Sequence, residues 1–118
     1  MGNTTSVKRE EALLVRKGDD TFIPIPSEWV ETLRLGFEFY IWGDEDNRAH
    51  LCSEHPGEFT PYLCYIEFKV DVQCAYLRKL DGDFYAQIPN DVMDALGFSG
   101  ETSLMLELYE NRMILNLY

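Results

Sequence analysis

Three kinds of protein are excluded by what this sequence has little of. Its three cysteines, Cys52, Cys64 and Cys74, are an odd number without framework spacing, which argues against a disulfide scaffold and for a reduced intracellular compartment. No apolar run approaches the roughly 18 residues that a membrane-spanning helix needs. The amino-terminal segment also lacks the apolar stretch of a secretory signal. The sequence therefore predicts a cytoplasmic protein with no membrane contact.

Basic residues are scarce as well. The 118-residue chain has 10 Lys and Arg against 21 Asp and Glu, which gives a formal net charge of -11. Such a surface repels polyanions on average and argues against a general nucleic-acid binder, although a local basic stripe can still meet phosphate groups. The length suits one ordinary domain, or two small units that share one core.

Sequence motifs of catalysis are missing. The chain has no nucleophile elbow, phosphate loop or His-Glu helix motif, so we predict neither an enzyme nor a cofactor. His50, Cys52 and His55 are close enough in sequence to supply zinc ligands, but their spacing matches no common finger or ribbon. A buried cysteine beside surface histidines explains the same pattern, and we predict no metal site.

What the chain does contain is an internal repeat. The segment RKGDDTFIPIPSEWVETLRLGF, which starts at Arg16, matches RKLDGDFYAQIPNDVMDALGF, which starts at Arg78, if one residue slips in the turn. This alignment pairs Arg16 with Arg78 and Lys17 with Lys79. It also superimposes one Ile-Pro step of each copy, Ile25-Pro26 and Ile88-Pro89. Such repetition is typical of units that cannot bury their apolar faces alone.

A short helix is predicted after each Ile-Pro step. Ser27 and Asn90 are the expected N-caps, because their side-chain oxygens can accept hydrogen bonds from free helix amides. Apolar residues then recur at helical spacing and predict one buried stripe per helix, and glycines that favour positive φ are expected to end the helices. The stripes are Trp29, Val30 and Leu33 in the first copy and Val92, Met93 and Leu96 in the second, and the glycines are Gly36, Gly97 and Gly100.

Strand patterns surround each helix and predict one hairpin before it and one after it. We therefore expect a flexible arm over 1–11, a first hairpin-helix-hairpin unit over 12–53, a linker with an extra strand over 54–74 and a second unit over 75–118. Alternating apolar and polar residues over 62–72 favour the extra strand. The predicted fold class is mainly β with two short helices.

Residues 75–118 resemble the swapped-hairpin domain of the AbrB/MazE/SpoVT family, and especially its MazE-like antitoxin branch. The shared features are the basic pair before the turn, the Ile-Pro step, the helix that ends in Leu-Gly and the closing hairpin. Residues 12–53 resemble a second, more divergent copy. In that family two copies interleave their hairpins into one barrel-like core, usually as a homodimer. The resemblance implies that this tandem chain forms a pseudo-symmetric barrel by itself, and it leaves a further homodimer open.

The resemblance also implies a DNA-binding transcriptional regulator, in which basic residues of the hairpins contact the phosphates and the nucleobase edges of duplex DNA. Further arginines that the family often carries near this turn are not found here, and acids crowd both turns. A solvated strand edge is the structural alternative for the bases. The matching bases are Arg16, Lys17, Arg78 and Lys79, and the acids are Asp19, Asp20, Asp81 and Asp83.

Two other functions stay open from the same residues. A toxin-antitoxin role is the weaker, because the toxin-wrapping tail of the antitoxin branch is not seen after the last predicted strand. The other is an acidic interaction module or DNA mimic that binds a basic protein partner. Acids in hairpin turns are more often turn formers that keep a protein soluble. The candidate acids are Asp19, Asp20, Asp44, Glu45 and Asp46.

Overall fold

Strands dominate the computed structural model, which describes residues 8–54 and 68–117. Within these ranges, nine strands form one antiparallel sheet that curls into a nearly closed barrel, and two short helices accompany it. The predicted mainly-β fold with two helices is confirmed. In chain order the elements are β1 (Lys8–Leu13), β2 (Val15–Lys17), β3 (Asp20–Ile25), α1 (Ser27–Leu33), β4 (Glu38–Gly43), β5 (Ala49–Cys52), β6 (Val70–Leu80), β7 (Asp83–Ile88), α2 (Asn90–Ala95), β8 (Ser103–Leu108) and β9 (Met113–Leu117).

The two repeats are interleaved within this sheet. The strand order is β1-β8-β9-β5-β4-β6-β7-β3-β2. Apart from the hairpin partners, each neighbouring pair joins one repeat to the other: β1 with β8, β5 with β9, β4 with β6 and β3 with β7. The end strands β1 and β2 are consecutive in the chain and are separated only by Leu14. One broken strand therefore occupies both ends of the sheet, so that the sheet nearly closes on itself.

A pseudo-twofold relation links the repeats. Ile23 and Ala86 each precede the isoleucine of their own Ile-Pro step by two residues, and they lie directly opposite each other in the ladder between β3 and β7. A second pair of contacts follows the same symmetry. The backbone N–H of Leu14 donates to the carbonyl of Thr102 at 2.9 Å, and the N–H of Leu77 donates to the carbonyl of Phe37 at 2.8 Å. The axis therefore passes through the β3–β7 pairing.

The N-termini of both helices differ from the prediction. Ser27 and Asn90 are the first helical residues, and the cap positions belong to Pro26 and Pro89, with no side-chain capping hydrogen bond. The prolines have φ values of -56° and -57° with ψ values of 136° and 141°. These are the extended angles of an N-cap, and the ring fixes φ there. The predicted side-chain caps are therefore wrong, because each Ile-Pro step itself makes the turn from strand to helix.

The C-termini of the helices agree with the prediction at one glycine of three. After α1 the left-handed residue is Arg34, at a φ of 54°, and not Gly36. After α2 it is Gly97, at a φ of 76°, as expected, whereas Gly100 has no positive φ. The N–H of Leu35 then donates to the carbonyl of Val30 at 3.0 Å, so α1 closes with backbone hydrogen bonds alone.

Two predicted segment boundaries change. Residues 8–11, which were expected to belong to a flexible arm over 1–11, form the first part of β1 and pair with β8. The predicted border between the linker over 54–74 and the second unit falls inside β6, which runs without interruption from Val70 to Leu80. Of the predicted extra strand over 62–72, the part before residue 68 lies outside the described residues.

The predicted helix stripes lie in the core. Trp29, Val30 and Leu33 of α1 are buried, as are their counterparts in and just after α2. At Gly43 the sheet and Leu96 approach so closely that an added Cβ would lie 2.8 Å from the Leu96 Cδ2 atom. Only glycine fits this contact without displacing its neighbours. The apolar stripes therefore belong to the core and do not form an exposed contact surface.

Truncation of either stripe leucine should destabilise the protein. We expect Leu33→Ala and Leu96→Ala each to lower the free energy of unfolding by about 2 to 5 kcal/mol, because transfer energy is lost and a cavity remains. Leu13 is 66% exposed, and Leu13→Ala should change it by about 0.5 kcal/mol or less. Urea denaturation followed by tryptophan fluorescence measures all three. Equal losses in the core variants and the control would show that the helices are not packed as described.

Candidate functional site

The four bases predicted to contact DNA lie on two hairpins of one four-stranded stretch, β6-β7-β3-β2. Both hairpins close with two-residue turns, since Lys17 pairs with Asp20 and Leu80 pairs with Asp83. Positive φ values at Gly18 and in the second turn permit this tight geometry. Because β3 and β7 are antiparallel, the two turns lie at opposite ends of the stretch.

The two turns have equal length, which overturns part of the predicted alignment. Arg16 lies opposite Thr21, and Lys79 lies opposite Phe84. Thr21 and Phe84 occupy the same position in their repeats, four residues before the isoleucine of the Ile-Pro step. Arg16 is therefore equivalent to Lys79, and the predicted match with Arg78 is wrong by one residue. A shift of one residue in a strand turns a side chain to the other face of the sheet.

This shift separates the four bases. Arg16 lies opposite the buried Thr21 and therefore on the inner face of the sheet, at one end of the stretch. Lys79 has the equivalent position at the other end. Lys17 and Arg78 lie on the outer face, on the first and last strands of the stretch. Across the sheet these two strands are three spacings of about 4.8 Å apart. The structure thus brings the bases onto one stretch of sheet but does not gather them into one basic stripe.

Arg16 is exposed, but its guanidinium is hydrogen-bonded to other parts of the fold. One guanidinium nitrogen donates to the backbone carbonyls of Ser99 and Glu101, both at 2.9 Å, and the other donates to Thr21 Oγ1 at 3.3 Å. These contacts tie the first hairpin to the loop between α2 and β8. The residue thus joins the two repeats, and its donors are directed at carbonyls of its own chain.

The other three basic residues are exposed as well. The guanidinium of Arg78 lies 5.7 Å from the centre of the Tyr76 ring and donates to Gln87 Oε1 at 3.3 Å. The ammonium of Lys79 lies 5.4 Å from the ring centre of Phe84. Contacts of this kind hold a cation over an aromatic face while leaving it in water. Lys17, opposite an exposed acid, completes the set.

Replacement of Arg16 should reduce stability even without any ligand. We expect Arg16→Ala to lower the free energy of unfolding by about 1 to 3 kcal/mol, because two carbonyls lose a charged donor. The neighbouring variant Lys17→Ala should change it by about 0.5 kcal/mol or less. Chemical denaturation of both proteins measures the difference. A stable Arg16→Ala protein would show that the guanidinium is free for an external partner.

A second polar cluster, which the sequence did not reveal, lies where β4 turns into β5. His50 Nε2 and Asp44 Oδ2 are 2.7 Å apart, and Arg48 Nε donates to the same carboxylate oxygen at 3.0 Å. The His50 ring stacks on Trp42 with ring centres 4.8 Å apart and planes 10° apart. The other carboxylate oxygen accepts the backbone N–H groups of Asp46 and Arg48. The predicted turn acid Asp44 is therefore committed to the structure of its own turn.

The protonation of this pair follows from its surroundings. Burial lowers the pKa of His50 below its ordinary value and outweighs the hydrogen bond to Asp44, which acts to raise it. Burial acts to raise the pKa of Asp44, but the hydrogen bonds from His50 and from the Arg48 backbone outweigh it, so this pKa is lowered. Both directions fit a neutral imidazole that donates its Nε2–H to a carboxylate. His50 Nδ1 is then an acceptor, and it has no hydrogen-bond partner in the described part of the chain.

The residues considered as zinc ligands do not form a metal site in the described part of the chain. Burial raises the pKa of the Cys52 thiol to about 11, and its Sγ donates to the carbonyl of Glu54 at 2.9 Å. A protonated thiol is a poor ligand and a poor nucleophile. Residues 8–54 and 68–117 contain no group of three His, Cys, Asp or Glu side chains that could hold a metal ion. His55 lies outside these ranges.

Comparison with known proteins identifies no relative. No family model matches the chain, and no significant match is found among curated proteins or solved structures. The resemblance to the swapped-hairpin family therefore stays a prediction from the sequence, alongside an architecture that agrees with it. Among the described residues, no helix is long and apolar enough to cross a membrane.

The neutral, buried His50 should make stability depend on pH. The unfolded chain takes up a proton near the ordinary pKa of 6.5, whereas the folded protein does so only at lower pH. The free energy of unfolding should therefore fall as pH decreases from 7.5 to 5.5, by at most about 1.4 kcal/mol per pH unit. Denaturation curves at several pH values measure this slope.

The chain has two histidines, which provides a matched comparison for that slope. His50→Gln should flatten the dependence between pH 7.5 and 5.5, and His55→Gln should leave the contribution of His50 in place. The same slope in the parent and in His50→Gln would contradict a lowered pKa at this position.

Proposed function

We propose that this chain is a non-catalytic, cytoplasmic binding module of swapped-hairpin architecture that recognises a basic partner through its acidic surface. The observation that carries the proposal is that the four acids of the two hairpins are exposed and outside the ion pairs of the described residues, whereas one of the four basic residues there is hydrogen-bonded to backbone carbonyls of the fold. Arg16 donates to carbonyls of its own chain, whereas Asp19, Asp20, Asp81 and Asp83 are exposed. No ion pair within the described residues involves these four acids.

The same imbalance extends over the described surface. Lys8 and Arg9 pair with acids of α1 and β8, at 3.6 Å and 3.0 Å, and Arg48 pairs with acids of its own turn. Three of the ten Lys and Arg residues are thus paired with acids, and the acids outside these pairs carry the net negative charge. A surface of this kind steers a cationic partner towards it and repels polyanions.

A DNA-binding regulator is the second candidate, and one observation favours it. Lys17, Arg78 and Lys79 are exposed, and Arg78 lies over Tyr76, which is 46% exposed. A cation beside an open aromatic ring suits contact with a nucleic acid. Against it, the exposed bases are spread over a wide stretch of sheet, and acids stand in both turns. Few phosphate contacts would give weak binding.

A binding assay separates the two candidates. Fluorescence anisotropy is measured with a labelled random 20-base-pair duplex and with a labelled decalysine peptide, each in 50 mM and 200 mM salt. We expect no saturable binding to the duplex, and peptide binding that weakens by about fivefold or more at the higher salt concentration, because charge attraction is screened.

Variants that lack exposed basic residues show which surface binds the probe. Arg78→Ala combined with Lys79→Ala should not weaken peptide binding, and Arg34→Ala, which removes an exposed base elsewhere, is the control. If the parent binds the duplex with a negative salt slope and the double variant does not, the regulator is correct and the proposal is wrong. Failure of the parent to bind either probe would also refute the proposal.

A further inference from the structure

A break in the barrel marks the point where the two repeats differ most. In the second repeat, β6 continues along β7 as far as the pair that includes Gln87. In the first repeat, the ladder between β2 and β3 ends at Val15 and Phe22, and the strand is interrupted at Leu14. The residue equivalent to Gln87 is Pro24, which has no N–H to donate to a ladder. Beyond this point β1 pairs with β8 only, and no ladder joins β1 to β3.

A cavity of about 460 Å3 is lined by residues of both strands. Its lining is partly apolar: Ala12, Ile25 and Leu106 are buried core residues, and Phe84 is half-buried against them. Pockets of this size and lining are typical of ligand sites in proteins. The cavity therefore offers room for an apolar group that reaches the edge of the core.

Three carboxylates also line the cavity. Glu10, Glu11 and Asp83 line it and are exposed, and none of them takes part in an ion pair within the described residues. The two bases of β1, Lys8 and Arg9, are paired with acids outside the lining. The lining itself includes no Lys, Arg or His among the described residues. A lining that combines apolar core residues with three carboxylates outside the described ion pairs is complementary to a cation that carries an apolar body.

We propose that this cavity is where the basic partner binds, and that it takes an extended peptide segment in which Arg or Lys alternates with aliphatic residues. The aliphatic side chain enters the cavity, and its basic neighbours face Glu10, Glu11 and Asp83. A peptide suits the site because β1 is an end strand, whose second edge is unpaired and can bond an extended backbone. This inference rests on the proposed function and assigns it one site.

Two labelled probes test the chemistry of the site. One is a hexapeptide of alternating arginine and leucine, and the other is a hexapeptide of alternating arginine and serine, which has the same charge. Anisotropy titration of the full chain should give a Kd for the leucine peptide that is lower than the Kd for the serine peptide by about tenfold or more. Equal affinity for the two peptides would show that the cavity does not contribute.

Two triple variants with the same change in net charge test the location. The lining variant carries Glu10→Gln, Glu11→Gln and Asp83→Asn, and the control carries Glu45→Gln, Asp71→Asn and Glu110→Gln, at exposed positions outside the lining. We expect the lining variant to weaken binding of the leucine peptide by about tenfold or more and the control by about twofold or less. Equal weakening would overturn the cavity site but leave the proposed function in place. Failure of the parent to bind either peptide would overturn both.

The pseudo-symmetry supplies a cavity-filling variant with its own control. Ala12 lines the cavity, and its equivalent in β6 is Ala75, which is 1% exposed in the core. Ala12→Leu should fold normally and lose the preference for leucine over serine, because its side chain occupies the cavity. Ala75→Leu should be destabilised, since overpacking forces neighbours out of place. A preference that survives in a folded Ala12→Leu protein would contradict the proposed site.

Discussion

The ladder between β3 and β7 is the pairing on which the rest of the fold depends. It sets Ile23 against its own counterpart Ala86, and it fixes the axis about which the other strands are arranged. Once these strands pair, β2 and β6 are placed on either side, and the closing hairpins meet through β5 and β9. Strands of each repeat pair with strands of the other, so the apolar faces are buried only when both repeats are present. Each helix begins after its Ile-Pro step and packs its apolar stripe against the core.

Much of this architecture could be predicted from the sequence because it depends on local patterns. The Ile-Pro steps, the helical spacing of Leu33 and Leu96 and the polar turns each specify an element without reference to the remainder of the chain. Interleaving of the repeats was implied by the family resemblance and agrees with the strand order. Segment boundaries were less predictable, because the start of β1 depends on its pairing with β8, far along the chain.

Side-chain roles were harder to predict, for physical reasons that particular residues illustrate. The alignment matched Arg16 with Arg78 by residue type, but equal turn lengths match it with Lys79. Arg16 then finds its partners in Ser99 and Glu101, which no local pattern could indicate. His50 and Asp44 likewise meet because the turn between β4 and β5 folds back on itself. Contacts between distant segments decide which charges remain available at the surface, and the proposed function depends on those charges.

The interruption at Leu14 has a consequence for how many partners one molecule engages. A homodimer built from identical subunits must offer every site twice, and it favours ligands that are themselves twofold repeated. Here covalent fusion of the two copies allows Pro24 in the first repeat where the second repeat has Gln87. The cavity lies beside Pro24, whereas the ladder continues at Gln87. A ligand in the proposed site would therefore bind in one direction only and with one-to-one stoichiometry.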